Sequence, residues 1–299
     1  MAHAHHTRRL AQTEEALTVL FCLIDDAYSL LNPHGQRRYE SIKRLSDSEV
    51  IALALFQQLR GVESERSFLR DAERFFAHLF PGVAGLHPSS FNRRVKKLRR
   101  FLEPLRRDVV SELVGDPETL IVDSTLLSVL HPRHPRQVGQ SAGSDGAAWV
   151  RWGSFSVYGV KLHLLCATNR VPLSYELTAA NVAEVRLAEE LVAEANLGED
   201  LARRLLGDLA YRSEALEEAM AGEGIVLVTE RSAQRGKRRQ QVEIAFSSLK
   251  RVFGLGETMA TSLVGLVTRI AAKIVAYTYA FLVNRRLERA QGRIKDLWA

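Results

Sequence analysis

The chain has 299 residues, enough for one large domain or two ordinary ones, and its 46% hydrophobic share suffices for a sizeable core. A net charge of +6 and a pI of about 9.5 lean toward a polyanionic partner. The two cysteines, Cys22 and Cys166, lie in separate apolar runs, which argues against a disulfide framework or a cysteine zinc site. No run of eighteen uncharged apolar residues suggests a membrane span.

The start, Met1 to Arg9, carries His3, His5 and His6 but no apolar core of a signal peptide, so residues 1–12 are expected to be a disordered tail of a cytoplasmic protein. From Thr13 to about Val114 the apolar spacing is helical. Leu17, Leu20, Phe21 and Ile24 make one stripe. Ser46 and Glu49 have capping-box spacing and open a helix through Leu59 that Gly61 ends. A further helix holds Phe68, Leu69, Phe75 and Phe76, and Pro81, Gly82, Gly85 and Pro88 break the chain after it.

Ser89 is expected to cap a helix from Ser90 to Leu102. Phe91, Val95, Leu98 and Leu102 recur at helical steps along it, while Arg93, Arg94, Lys96, Lys97, Arg99 and Arg100 cover the rest, with Arg106 and Arg107 beyond. Eight basic residues stand against Glu103 alone. The pattern leaves two readings open, a solvated face or a DNA contact of helix-turn-helix type.

After Gly115-Asp116-Pro117 the periodicity changes. Leu120 to Leu127 is an aliphatic, β-branched run that reads as a buried strand with one carboxylate, Asp123, inside it. Such a charge needs a cation or hydrogen-bond partners. Residues 131–154 read as a long loop with His131, His134, Trp149 and Trp152. The tryptophans suit either stacking on a nucleobase or packing at the loop base. Phe155 to Ala167 and Val171 to Thr178 should pair as a hairpin across Asn169-Arg170. Asn181 is expected to cap a helix, Val182 to Ala195. A fourth strand, Leu205 to Asp208, ends on a carboxylate. Ser213 caps the next helix, Ile225 to Val228 is a fifth strand, and a helix from about Arg238 carries Glu243 and Lys250 two turns apart.

This order of elements predicts an α/β protein with an RNase H-like mixed five-stranded sheet flanked by helices. Such a sheet sets the first and fourth strands side by side, so Asp123 and Asp208 meet at one edge with Glu243 supplied by the covering helix. Three convergent carboxylates repel unless they hold divalent cations, and oxygen donors suit Mg²⁺ or Mn²⁺, here two ions.

Several stretches resemble one family. Val122-Asp123-Ser124-Thr125, Tyr158-Gly159-Val160-Lys161-Leu162-His163, Leu177 to Val182 and Gly207-Asp208-Leu209-Ala210-Tyr211 follow in order. Arg239, Glu243 and Lys250 then match a Tyr-Arg-Glu-Lys signature whose tyrosine position holds Gly236. Glu243 follows Asp208 by 35 residues. Together these are similar to bacterial insertion-sequence transposases of the DDE class, over roughly residues 45–285. The resemblance implies an enzyme that binds the terminal inverted repeats of its element, cleaves the DNA ends by metal-dependent hydrolysis and joins 3′-hydroxyl ends to target DNA, as a homodimer on double-stranded DNA. It implies metal coordination by Asp123, Asp208 and Glu243. Phosphates would be held by Arg239 and Lys250, with Lys161 and His163 as further candidates, His163 reading equally as a strand histidine on an exposed face; DNA contacts would be made by Arg93, Arg94, Lys96, Lys97, Arg100, Arg238 and Arg251. The alternative is a catalytically inactive, transposase-derived DNA-binding protein. The expected division is an all-α DNA-binding domain at 13–115, a catalytic domain at 116–256, and a C-terminal helical segment at 257–299 packing on the catalytic domain.

Overall fold

A computed structural model describes residues 2–34, 43–129, 146–152, 155–198, 203–229, 240–258, 260 and 262–297. The chain forms two compact units. One comprises Met1–Val109, Arg251–Met259 and Thr268–Ala299; the other comprises Val110–Lys250 and Ala260–Val267.

The first unit is helical. Helix α1 runs over Ala2–Leu31, so the expected disordered tail at 1–12 is instead continuous with it from Ala2. Ala2, Ala4 and Ala11 favour that continuation. Helix α2, Asp47–Leu59, opens on a complete capping box: Glu49 N donates to Ser46 Oγ at 3.1 Å and Ser46 N donates to Glu49 Oε2 at 2.5 Å. It ends at Gly61, whose φ of +62° is left-handed and whose missing Cβ would meet Val252 O at 2.9 Å. Almost every residue of α2 is buried, which makes it the core of this unit. Helix α3, Glu65–Phe76, buries Phe68, Leu69, Ala72 and Phe76.

The expected helix Ser90–Leu102 is shorter and starts earlier. Helix α4 spans Pro88–Leu98, with Pro88 in its first turn and His87 as cap, its Nδ1 accepting from Ser89 N. A 3-10 turn, Arg99–Phe101, separates it from helix α5, Leu102–Val114.

The second unit holds a six-stranded mixed sheet among the described residues, in place of the five strands expected. Its strands are β1 (Thr119–Ser128), β2 (Ala148–Trp152), β3 (Phe155–Ala167), β4 (Pro172–Ala179), β5 (Arg203–Gly207) and β6 (Ile225–Thr229). The extra strand β2 lies in the stretch expected to be loop and pairs antiparallel with β3. His131 and His134 lie outside the described residues. The hairpin β3–β4 forms around Asn169-Arg170, where Arg170 takes a φ of 74° and Asn169 Oδ1 accepts from Val171 N. Strand order is β2-β3-β1-β5-β6, with β4 on the other side of β3, and β1 and β5 are parallel neighbours.

Helix α6 runs over Val185–Glu194 and not from Val182 under an Asn181 cap. Val182 N instead closes a turn onto Ala179 O, and Glu184 stands at the cap position without a side-chain cap. Helix α7, Glu214–Gly222, is capped by Ser213 as expected. The two helices join Leu120, Val122, Leu165, Leu173 and Leu205 in one apolar core. Helix α8 spans Gln240–Arg251 and helix α9 spans Leu263–Arg286.

The C-terminal segment, expected to pack on the catalytic domain, divides between the two units, with Ala260–Val267 in the sheet unit. From Thr268 onward the chain groups with the helical unit. There Lys273 Nζ donates to Glu63 Oε1 at 2.6 Å and to the Phe253 carbonyl, and Arg269 reaches Glu63 O and Glu65 Oε1. Helix α9 is long and apolar enough to cross a membrane, but 89% of its most apolar stretch is buried inside the protein, as in the core helix of a globular fold.

Candidate active site

Alternation along β1 sorts its side chains between the two faces of the sheet. Asp123 stands opposite Leu164 and Thr125 opposite Leu162, so these share one face; Ser124 stands opposite His163 and Leu126 opposite Lys161 on the other. Asp123 is half-buried, and its Oδ1 accepts from Ser124 N at 2.8 Å.

Strand β5 pairs with β1 in the register Thr119↔Arg204, Leu120↔Leu205, Ile121↔Leu206. Asp208 keeps an extended backbone, φ −85° and ψ −177°. Continued two residues past its last pair, the same register would set Asp208 level with Asp123 on the same face, at a strand spacing of about 5 Å between backbones. Asp208 Oδ1 accepts from Ala210 N at 2.9 Å and opens the 3-10 turn Leu209–Tyr211. That turn folds the buried Tyr211 ring back over Gly207, where a Cβ would lie about 3.0 Å from the ring. The Gly-Asp-x-x-Tyr pattern thus has a steric reason: the glycine gives the tyrosine room, and the aspartate starts the turn.

Helix α8 buries Val242, Ala245, Phe246 and Leu249. Its Lys250 Nζ donates to Thr125 Oγ1 at 2.5 Å. Partial burial lowers the pKa of this ammonium, and the Asp123 carboxylate opposes the shift. Glu243 is half-buried in the first turn of α8. The oxygen donors of Asp123 and Asp208 suit a hard divalent cation. Among the described residues, however, no group of three or more His, Cys, Asp or Glu lies close enough to hold a metal ion. The continued register would align two of the three expected acids, Lys250 lies beside Thr125 and Asp123, and among the described residues Glu243 joins no three-acid cluster.

Two residues expected near phosphates sit elsewhere. Lys161 is buried on the sheet face opposite Asp123, where its Nζ donates to Glu184 Oε1 at 2.7 Å and Val182 O at 2.8 Å. His163 is fully buried on that same face, its Nε2 2.9 Å from Thr178 Oγ1. Burial, and then the charge of Lys161, push its pKa down to about 4. A buried neutral histidine cannot serve as a phosphate clamp. On the front face Trp149 is exposed on β2, packed at an angle against Tyr158 with ring centroids 5.4 Å apart. The Trp152 side chain, Gly236, Arg238 and Arg239 lie outside the described residues.

In the helical unit the basic helix divides by role. Arg93, Lys97 and Arg100 are exposed at helical spacing, and Lys96 is half-buried. Arg94 is structural: it donates to Leu45 O at 2.8 Å and pairs with Asp47 at 2.6 Å, which helps to hold the Asp47 carboxyl below its ordinary pKa despite burial. Arg106 is fully buried against Glu103, which Arg107 also pairs. Arg251, at the end of α8, is exposed.

The sequence reading overlooked a second basic row. Arg66, Arg70 and Arg74 recur every four residues on α3, all exposed. Arg66 and Arg70 line a crevice of about 280 Å³, together with Glu73, His87 and Pro88 at the start of α4. The four-residue spacing was legible, but the neighbouring Glu65, Asp71 and Glu73 hid it in a charge count. In the structure Glu65 turns inward to Asn92 and Arg269, and Glu73 accepts from Gly85 N.

Residues 114–279 match the family model of the Transposase DDE domain. No curated protein is significantly similar to the chain. Similar solved structures include a piggyBac transposase synaptic complex with hairpin DNA, at 10% identity over 97% of this chain and 79% of that one, with a TM-score of 0.46. They also include a Mos1 transposase paired-end complex with left transposon end, at 11% identity over 78% and 77% of the two chains, TM-score 0.28. A Mos1 mariner paired-end complex with Mn matches at 10% identity over 88% and 95%, TM-score 0.25. Because the family model covers more than half of the sequence and spans Asp123, Asp208, Glu243 and Lys250, the chain belongs to the transposase DDE domain family.

Proposed function

We propose that this transposase binds the terminal inverted repeats of an insertion sequence, cleaves the DNA ends by metal-dependent hydrolysis and joins the 3′-hydroxyl ends to target DNA. The observation that carries the reading is the parallel register of β1 and β5, which, continued by two residues, would set Asp123 and Asp208 level on one face, with Lys250 beside Asp123. The sheet unit is then an RNase H-like catalytic domain.

In this reading Asp123, Asp208 and Glu243 supply oxygen donors to divalent cations, Mg²⁺ or Mn²⁺, two in number. Bound cations would supply Lewis-acid activation of the attacking oxygen and offset charge on the leaving one. Lys250 offsets charge gathering on the transferring phosphate, because a fixed cation at that point needs no reorganisation as the reaction proceeds. Phosphodiester bonds are exchanged directly, with no covalent protein–DNA intermediate. The helical unit holds the ends through Arg93 and Lys97 on α4, Arg100 in the 3-10 turn after it, and Arg66, Arg70 and Arg74 on α3, and two copies act together on the paired ends.

Cleavage of a supercoiled donor plasmid carrying the element's ends tests the proposal. Nicking or end cutting that needs Mg²⁺ or Mn²⁺ and disappears in Asp208→Ala supports it. Cutting retained in Asp208→Ala removes the site assignment. DNA binding without any cutting marks the alternative, a transposase-derived DNA-binding protein.

A further inference from the structure

Behind the face that carries Asp123 lies a partly buried set of polar groups that the reaction as proposed does not touch. Lys161 reaches from the middle of β3 to Glu184, just ahead of α6. Glu184 Oε1 accepts a second hydrogen bond from Ser124 Oγ, at 3.3 Å. Ser124 is the residue that follows Asp123, and its backbone N–H donates to Asp123 Oδ1. One residue therefore has contacts on both sides of the sheet: its hydroxyl is tied to the back, and its amide holds the carboxylate at the front.

A pair of well-packed apolar residues would serve stability about as well as a largely buried Lys–Glu pair, because desolvation offsets most of the attraction between the charges. What an ion pair adds is direction. Lys161 also donates to the Val182 carbonyl, so its ammonium is fixed from two sides and fixes Glu184 in turn. Burial alone would raise the Glu184 carboxyl pKa, but the hydrogen bond and charge of Lys161 carry it below its ordinary value, so the acid stays ionised and able to accept from Ser124.

We propose that Lys161, Glu184 and Ser124 are positioning residues for Asp123: the ion pair anchors Ser124 from the far side of the sheet, and Ser124 N–H sets the Asp123 carboxylate in the orientation that accepts a divalent cation. The inference rests on the reading of Asp123 as a metal ligand. A ligand carboxylate must be held to a fraction of an ångström, and hydrogen-bonded partners behind the ligands are what hold it.

The test uses the full chain. Mn²⁺ binding is measured by calorimetry on DNA-free protein, and cleavage kinetics and end-DNA affinity are measured beside it. Ser124→Ala removes one hydroxyl at a half-buried position and keeps the backbone N–H, so the fold survives. The Mn²⁺ Kd should rise about tenfold, with kcat falling and end-DNA Kd unchanged. Glu184→Gln should act in the same direction, the double variant should be no worse than the more impaired single one, and Ser124→Thr should restore binding. A lowered melting temperature with Mn²⁺ affinity and kcat at wild-type values in both Ser124→Ala and Glu184→Gln would show a merely structural contact and overturn the inference. Wild-type protein that binds no Mn²⁺ and cuts no DNA would overturn the catalytic reading together with it.

Discussion

Lys250 on α8 and Thr125 on β1 are joined by a 2.5 Å hydrogen bond, which ties the lysine to the strand and face that carry Asp123. An ammonium beside that carboxylate is partner and rival at once. It stabilises the ionised acid, and it is ready to meet a phosphate. Lys250→Met should slow end cleavage by about a hundredfold, the scale of losing one fixed charge-stabilising group, and Lys250→Arg should recover part of it. Single-turnover cleavage measures both. Equal rates in wild type and Lys250→Met would remove the lysine from the reaction.

Replacing Asp123, Asp208 or Glu243 singly by alanine should lower cleavage by about a thousandfold or more, since metal-assisted stabilisation contributes several kcal/mol. End binding in a mobility-shift assay should change little. Glu243 is the discriminating position, because the register that aligns Asp123 with Asp208 does not extend to it. Full cleavage by Glu243→Ala would reassign the third donor.

Contacts with phosphates release counterions, so each one lost flattens the dependence of log K on log salt by about 0.9. Neutralising Arg66, Arg70 and Arg74 to glutamine should reduce the slope by up to about 2.7, and neutralising Arg93, Lys97 and Arg100 by a similar amount. Arg94→Gln should act on stability and leave the slope nearly unchanged, because its guanidinium is committed to Asp47 and Leu45 O. A titration of end-DNA binding from low to moderate salt reads all three.

Lys273 on α9 has a side chain only 1% exposed and pairs with Glu63 at 2.6 Å. Burial lowers its pKa and Glu63 opposes the shift. Lys273→Met leaves Glu63 without this partner and should cost about 3–5 kcal/mol in urea unfolding. Lys273→Met with Glu63→Gln should recover part of the loss. Additive losses in the double variant would show that the two residues are not coupled.

His163 supplies a pH signature. Its pKa in the folded protein, about 4, lies below the ordinary value of 6.5, so between these two pH values the unfolded chain binds a proton that the folded one does not. Stability should therefore fall as pH drops from about 6.5 toward 4. Glu184, whose pKa is lowered, adds a further loss below its ordinary value of 4.5 as it is protonated. Unfolding measured at pH 7 and pH 5 should show a smaller drop in His163→Gln than in wild type. An equal drop would place the titration elsewhere.

What could be read from the sequence was local or repeated at short range. The capping box at Ser46, the left-handed stop at Gly61, the hairpin turn at Asn169-Arg170 and the Ser213 cap depend on residues a few positions apart, and all four form as their residue types require. Asp123 and Asp208 were legible because a carboxylate in or at the end of an aliphatic strand has few neutral explanations, and the order of elements makes their strands neighbours. The partner of each charge was not legible. Lys161 and His163 share a strand with residues of both faces, and only the pairing of β1 with β3 shows that they lie behind the site. Arg94 and Arg106 look like Arg93 and Lys97 in a charge run until Asp47 and Glu103 are seen to claim them. Helix α9 is apolar on all sides, so its sequence suits any core. Glu63 and Glu65, about two hundred residues earlier, draw Lys273 and Arg269 and so decide which core it enters. The sequence by itself determined most of the segments that become helix or strand, with β2 and the start of α1 as exceptions, and the acids that stand in or at the end of strands, because backbone preference and alternation act between near neighbours. Only the tertiary structure decided which face each side chain serves and which charges are left for DNA, because those depend on pairings between distant segments for which the chain offers several chemically equivalent partners.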